Sequence, residues 1–312
     1  MKKKFLSMFI VLAMLSAFIP MTVSAGNIDD LYYTLIDNNS AVEITSCSNT
    51  ATDITVPDTI EGLPVTKIGF LAFSNASAQL RSVTLPNSIT TIGEAAFSNC
   101  TSLVKINIPA NVTCINTNVF ANCSSLASID IPNSVTSIGY SAFGSCSSLT
   151  NINIPDSVTS IDTEAFSGCS SLTSIVLPDS VTTVGEDVFR ACTNLESMVL
   201  SKNIEVLPYG FACDCISLNN VVLPEHLKKI EDKAFGYTAL QTVDMPDEIE
   251  SLSVFEDSYD FGTPNTNASF YGSESVVMRC RENSYIHKTA EKYNFPYVLI
   301  PDGPDKFDYD NH

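Results

Sequence analysis

The chain has no tryptophan, only three histidines, and 16 Lys and Arg against 35 Asp and Glu in 312 residues. Each shortage excludes something. A formal net charge of −19 argues against nucleic acid, because phosphate contacts need a basic stripe. It argues equally against anionic membrane surfaces. The histidines, His226, His287 and His312, form no His-Glu-x-x-His pair, and neither a Gly-x-Ser-x-Gly turn nor a phosphate-cradling glycine loop occurs. The composition is therefore that of a non-enzyme without cofactor or metal. Charged residues make up 16% of the chain, against about 25% in a typical soluble protein. Hydrophobic residues make up 45%, too many for a disordered polymer.

Long apolar runs are also missing, with one exception. Residues 5–23 are mostly apolar, follow Lys2, Lys3 and Lys4, contain Pro20, and lead into Val23-Ser24-Ala25 before Gly26. A charged start, an apolar middle and a small-residue site are the parts of a secretory signal. Residues 1–25 are expected to be cleaved on export, which takes the net charge from −19 to −22 with the three lysines. The alternative is an uncleaved anchor, since about 18 apolar residues nearly span a bilayer; Pro20 just before the small-residue site favours cleavage. The remaining chain is expected to be secreted, or held at the cell surface, with no membrane contact of its own.

What the sequence has in abundance is repetition. Leu80, Leu103, Leu126, Leu149, Leu172, Leu195 and Leu218 follow one another at intervals of 23 residues, and Leu240 follows after 22. In the unit beginning at Leu149, the residues Ile152, Ile154, Val158, Ile161, Ala165, Phe166 and Cys169 recur by type in the other units. Leu-x-x-Ile-x-Ile has strand spacing. The following proline, Pro155 here, lacks a backbone donor and ends the strand. Val-Thr-Ser-Ile is a second short extended piece, and Ala-Phe-x-x-Cys suits one helical or 3₁₀ turn. One such unit has a row of inward side chains and nothing to cover them; stacked neighbours supply the cover. The expected fold is a repeat solenoid of ~23-residue units with short β-strands and single helical turns.

The motif Leu-x-x-Ile-x-Ile-Pro-x-Ser-Val-Thr-x-Ile-Gly-x-x-Ala-Phe-x-x-Cys-x-Ser, met almost letter for letter by residues 126–148, resembles the BspA-type leucine-rich repeats of bacterial surface and secreted proteins. The resemblance covers residues 54–252. Residues 33–56 resemble the family's opening strands, and residues 275–300 its closing unit, read as strand, short helix over 284–293, and strand at 297–300. The implied organisation is a leader (1–25), N-terminal cap strands (26–53), repeats (54–252), a C-terminal loop and capping unit (253–301) and an acidic tail (302–312). The caps are expected to cover coil edges that would otherwise pair with other chains. The pattern weakens late: Phe211 stands one residue early, before Ala212, and residues 253–272 have lost the repeat.

Ten cysteines in an exported chain ordinarily suggest disulfides. Here Cys100, Cys123, Cys146, Cys169, Cys192 and Cys215 also repeat every 23 residues and so form one column on adjacent coils. Their Cβ atoms would sit about 4.8 Å apart, further than the roughly 3.5–4.5 Å a disulfide needs. They are expected to be buried thiols. Cys47, Cys114, Cys213 and Cys280 fall outside the column, and no second Cys or His pair stands beside Cys213 and Cys215 to complete a metal site. Asp302, Asp305, Asp308 and Asp310 lack the ligand order of a calcium loop.

A binding surface is more legible than a catalytic one. The second, third and fifth residues of Leu-x-x-Ile-x-Ile should face outward. The fifth position reads Thr84, Asn107, Asp130, Asn153, Val176, Val199, Val222, Asp244. Three consecutive valines, with Ser174, Ser197 and Asn220 beside them, make the candidate ligand face. The alternatives are that β-branched residues simply suit strands, or that residues 253–272 fold over the valines. The resemblance implies an exported interaction module for a host, microbial or matrix protein. Glycan binding is the second reading; the missing tryptophan weighs against it, while Tyr140 and Tyr209 sit at turn positions.

Overall fold

The computed structural model describes residues 25–76, 78–255, 266–273 and 275–301. The expected leader, apart from Ala25, and the acidic tail lie outside the described residues. Among the described residues no helix is long and apolar enough to cross a membrane.

The chain winds as a β-solenoid whose coils stack in parallel, in the register the repeat predicts. Ser137 pairs with Cys114 and Ser160, and Ser160 with Thr183, each step one repeat. Two columns of strands result. One is built from the Leu-x-x-Ile segments and the other from the Val-Thr-x-Ile segments. Leu, Ile, Val, Ala, Phe and Cys of each coil point inward and merge into one core running the length of the stack.

The aromatic spine makes the stacking explicit. Phe73, Phe97, Phe120, Phe143, Phe166 and Phe189 are fully buried and lie face to face, with successive ring centroids 4.7 to 5.7 Å apart. Phe211, displaced by one residue in sequence, still enters the spine, but edge-on, at 84° to Phe189 and 80° to Phe235. The stack then resumes with Phe235 on Phe270 at 5.5 Å and 19°. That last contact corrects the expectation that residues 253–272 have left the repeat. Phe235 N–H bonds to Ser269 O and Tyr237 N–H to Tyr271 O, as equivalent groups bond between earlier coils. Ser269-Phe270-Tyr271 therefore completes the coil after an insertion: Phe270 comes 17 residues after Ser253, where Phe235 comes 4 after Glu231.

The Ala-Phe-x-x-Cys segment is not a continuous helical turn. Bonds of the i→i+3 type, such as Gly144 N–H to Ser141 O and Cys146 N–H to Phe143 O, alternate with bonds to the next coil, such as Phe143 N–H to Ala165 O and Ser145 N–H to Ser167 O. The alternation requires two left-handed residues per coil. One column runs through Ala95, Asn118, Ser141, Glu164 and Asp187, and the other through Asn99, Asn122, Ser145, Gly168, Ala191 and Asp214. Asn and Asp tolerate this region better than most residues, and glycine best of all. The reason for the geometry is satisfaction of donors: a stacked coil must bond its neighbour as well as itself.

The closing helix Tyr285–Tyr293 is capped by Ser284, whose hydroxyl accepts from His287 N–H, and ends at Asn294 in the left-handed region. At the other end Ala25–Ile28, Leu31–Ile36 and Ala41–Cys47 form an antiparallel sheet that joins Leu63–Ile68 in parallel.

Two outcomes are expected. Phe143→Ala removes a fully buried ring and should cost about 3–5 kcal/mol in denaturant unfolding; an unmoved midpoint would contradict the spine. Ala191→Gly, at φ 56°, should stabilise by up to about 1 kcal/mol, as relief of the left-handed strain exceeds the entropy gained by the unfolded chain.

Candidate functional site

In the coil from Leu172, the side chains of Leu172, Ile175 and Leu177 are buried, while Thr173, Ser174 and Val176 are exposed. The outward positions are those the motif predicts. Strands Ser174–Val176, Ser197–Val199 and Asn220–Val222 lie side by side in parallel, which aligns Ser174, Ser197 and Asn220 in one column and Val176, Val199 and Val222 in another. All six candidate residues thus share one small sheet face. Val176 is 61% exposed; Val199, Val222 and Ser197 are half-buried, and Ser174 and Asn220 are exposed.

Why strands form here follows from the fifth position. Residues 126–131 and 149–154 carry Asp130 and Asn153 there and form no ladder in this column. At Asn107 the side-chain amide substitutes for a rung: Nδ2 donates to Leu85 O at 2.9 Å, and Leu85 N–H donates to Oδ1 at 2.8 Å. With valine in place the backbone ladder returns, as in Leu177 N–H to Val199 O at 2.9 Å. The valines are therefore strand formers in the first instance. Their exposure is a separate property, and at Val176 it is large.

The apolar column is bounded on its C-terminal side. The next strands, Thr242–Asp244 and Val277–Arg281, place Asp244 and Arg279 in line with the valines. Arg279 Nη1 lies 3.0 and 3.3 Å from the two Asp244 carboxylate oxygens. Burial pushes the Asp244 carboxyl above the ordinary range, and Arg279 opposes the shift. The sequence offered no sign of this pair, because Arg279 belongs to the closing unit rather than to the repeat. Of residues 253–272, the alternative cover for the valines, the stretch 256–265 lies outside the described residues.

The cysteine column is buried throughout, and all ten cysteines are free thiols. The thiols do something that spacing alone does not reveal. Each Sγ donates to the carbonyl of the spine phenylalanine of the coil before: Cys123 to Phe97 at 3.2 Å, Cys146 to Phe120 at 3.1 Å, Cys169 to Phe143 and Cys192 to Phe166 at 3.2 Å, and Cys215 to Phe189 at 3.1 Å. At Cys100 the contact loosens to 3.7 Å. Burial pushes the thiols of Cys100 and Cys146 up to about 12 from the ordinary 9.0. It raises Cys47 and Cys213 to about 11.

The remaining titratable candidates are structural. His226 Nδ1 sits 3.0 Å from Glu248 on an exposed turn. His287 is buried, its Nδ1 accepting from Asn283 N–H at 2.9 Å. Among the described residues no group of three or more His, Cys, Asp or Glu is placed to hold a metal ion.

The BspA type leucine rich repeat region matches residues 44–169 and 136–260, in six copies. The chain belongs to the BspA-type leucine-rich repeat family. Among solved structures this BspA-type chain is similar to the Treponema pallidum leucine-rich repeat protein TpLRR, at 29% identity over 66% of this chain and 86% of that one, with TM-score 0.48. It is similar to a Bacteroides ovatus leucine-rich repeat protein at 21% identity, 88% and 100% coverage and TM-score 0.42. It is also similar to the pneumococcal vaccine antigen PcpA at 18% identity, 89% and 99% coverage and TM-score 0.46. No curated protein matches it.

For this BspA-type solenoid the thiol column makes a pH prediction. A thiol held protonated by the fold contributes stability in full below the unfolded value near 9.0, and loses it as pH rises toward about 12. Denaturant midpoints should therefore fall above about pH 9, while between neutral pH and about 9 the column adds no pH dependence. At neutral pH the column cysteines should resist iodoacetamide until the chain is unfolded; bridges within the column, seen by intact-mass analysis, would overturn this.

Proposed function

We propose that the chain is an exported, non-catalytic protein-interaction module that recognises a host, microbial or matrix protein, with the Leu-x-x-Ile sheet face of residues 172–222 as its contact surface. A leucine-rich-repeat stack is a protein-interaction scaffold, offering a long rigid surface. The carrying observation is the column Val176, Val199, Val222: an apolar stripe, 61% exposed at Val176, in a chain of net charge −19. Its flanks, Ser174, Ser197 and Asn220, supply hydroxyl and amide partners for a polar rim. Export rests on the leader in residues 1–25.

The carboxylates lie mainly away from this face. Asp156, Asp179, Glu225 and Asp247 stand in the post-proline column, interrupted by Lys202, which pairs with Asp179 at 2.6 Å, so a protein partner docks on the neutral strands or brings a basic surface to that edge. The glycan reading keeps one observation: Tyr140 and Tyr209 are each 37% exposed and occupy the same column three coils apart.

The test is a double substitution, Val176→Asp with Val199→Asp, in an affinity capture from host or community extract. A partner retained by the wild type should be lost by the variant, with an unchanged thermal melt. Unchanged capture ends the proposal. Glycan-array binding abolished by Tyr140→Ala and Tyr209→Ala, and indifferent to the valines, would favour the second reading.

A further inference from the structure

The first strand of the N-terminal cap contains a glycine that the repeat does not call for. Ala25–Ile28 is the outermost strand of its sheet and pairs antiparallel with Leu31–Ile36 across the turn Asp29-Asp30. The register sets Gly26 opposite Tyr33. Tyr33 is 6% exposed, and its ring lies against the Gly26 backbone. A Cβ at position 26 would stand 2.4 Å from both Cζ and the hydroxyl oxygen of Tyr33. The position therefore takes the one residue without a side chain.

The Tyr33 hydroxyl leads from this glycine to a carboxylate. It donates to Glu61 Oε1 at 2.9 Å, and that bond is the first cause holding the Tyr33 hydroxyl above its ordinary range. Glu61 and Gly62 are the two-residue turn between Thr59–Ile60 and Leu63–Ile68, with φ 53° and 79°. Such a turn needs positive φ at both positions, which Asn or Asp before Gly suits best. Glutamate there is strained. What it supplies is reach, to a hydroxyl 28 residues away in sequence. Its other oxygen, Oε2, has no hydrogen-bond partner among the described residues.

The Gly26 nitrogen is close to that carboxylate. A residue's N and Cβ lie about 2.5 Å apart, so with the two contacts above the nitrogen falls within about 8 Å of Glu61 Oε1. In the chain as translated this nitrogen is an amide. Pairs along an antiparallel ladder alternate, so Gly26, two residues from the turn-closing pair of Ile28 and Leu31, gives its single N–H to Tyr33 O. Residues 26–62 contain seven carboxylates and no Lys or Arg. Glu61 thus has no cation in its own part of the chain.

We propose that export cleavage supplies this cation: the α-ammonium left on Gly26 donates to the Glu61 carboxylate and, with the Tyr33 hydroxyl, fastens the first cap strand to the turn at 61–62. The position of the cut rests on the export reading above, after Val23-Ser24-Ala25. An export peptidase adds water across the peptide bond between Ala25 and Gly26; the leader departs with a carboxylate on Ala25, and Gly26 keeps an amine that is protonated at neutral pH. One of its hydrogens keeps the bond to Tyr33 O, and the other two are new donors. The cut thereby places a positive charge among the seven carboxylates of the cap. The mature cap is held more firmly than the same cap in the uncut chain.

The test is a double cycle on the chain 26–312: α-amine free or acetylated, and Glu61 kept or replaced in Glu61→Gln. The readouts are the urea midpoint and, where the cap opens separately, hydrogen-exchange protection of the amides of Leu31–Ile36. Acetylation should lower both in the Glu61 chain and leave Glu61→Gln unmoved. A chain that begins at Ala25, with its ammonium one residue out of place, should behave like the acetylated one. The groups facing the amine are Tyr33 and Glu61, with Asp29 and Asp30 at the far end of its own hairpin. A carboxylate partner raises the amine's pKa, so the coupling is full below the ordinary value of about 7.7–8.0 and is lost as pH rises through the raised one. It should also shrink in 1 M salt, where screening falls to about 3 Å. Equal shifts with and without Glu61, or no shift in either, overturn the contact. N-terminal sequencing of the exported protein should read Gly26 first. Any other first residue overturns the position of the cut, and the proposal with it, even where the cycle on 26–312 shows coupling.

Discussion

Everything in this molecule depends on the fact that one coil cannot satisfy itself. Backbone donors around each turn, such as Thr136, Gly139, Ser141, Phe143 and Ser145 N–H, bond to neighbouring coils, and the inward side chains are covered by their equivalents above and below. The interval of 23 residues is therefore a condition of burial rather than a decoration of the sequence. It explains why Phe143 lies between Phe120 and Phe166 at 5.4 Å on either side, and why the cysteine thiols find phenylalanine carbonyls one coil back. It also explains the strain: left-handed residues as ill-suited as Ala95, Glu164 and Ala191 are held there because the stack over-determines them.

The same constraint divides the surface. Positions that neither stack nor bond are free to vary, and they vary by column. On the Leu-x-x-Ile face the fifth position changes from Asn107, Asp130 and Asn153 to three valines, and the ladder, interrupted at 126–131 and 149–154, becomes continuous. On the post-proline edge the carboxylates accumulate. A partner thus meets a flat, nearly uncharged sheet on one side and a negative edge on another. The ends are where the repeat must stop satisfying itself, and among the described residues the two columns part company there: the N-terminal cap strands extend one, while Asp53–Thr55 and Tyr297–Ile300 are the outermost strands of the other.

The inward columns were legible because each position is tested many times over; a slip of one residue would turn every core side chain outward. The spine, the cysteine column and the outward positions could all be read from spacing, and the closing helix from the resemblance of residues 275–300 to the family's closing unit. The return of Phe270 to the spine could not, because an insertion breaks the period that carries the signal and only contact restores it. The apolar residues of the turn segment sit at helical spacing and so suggest one helical turn, whereas its hydrogen bonds are shared with the next coil. The six candidate residues come together on one face as read, but Asp244 and Arg279 at its border are 35 residues apart and share no motif.

By itself the sequence determined the period, the inward columns and the excess of acid, since each is a local choice repeated until it is unmistakable. The tertiary structure alone decided what happens where the repetition falters: which ring turns edge-on at Phe211, which carbonyl each thiol meets, and how Phe270 rejoins the spine. Those depend on what lies across a gap in sequence, and a chain records only its neighbours along itself.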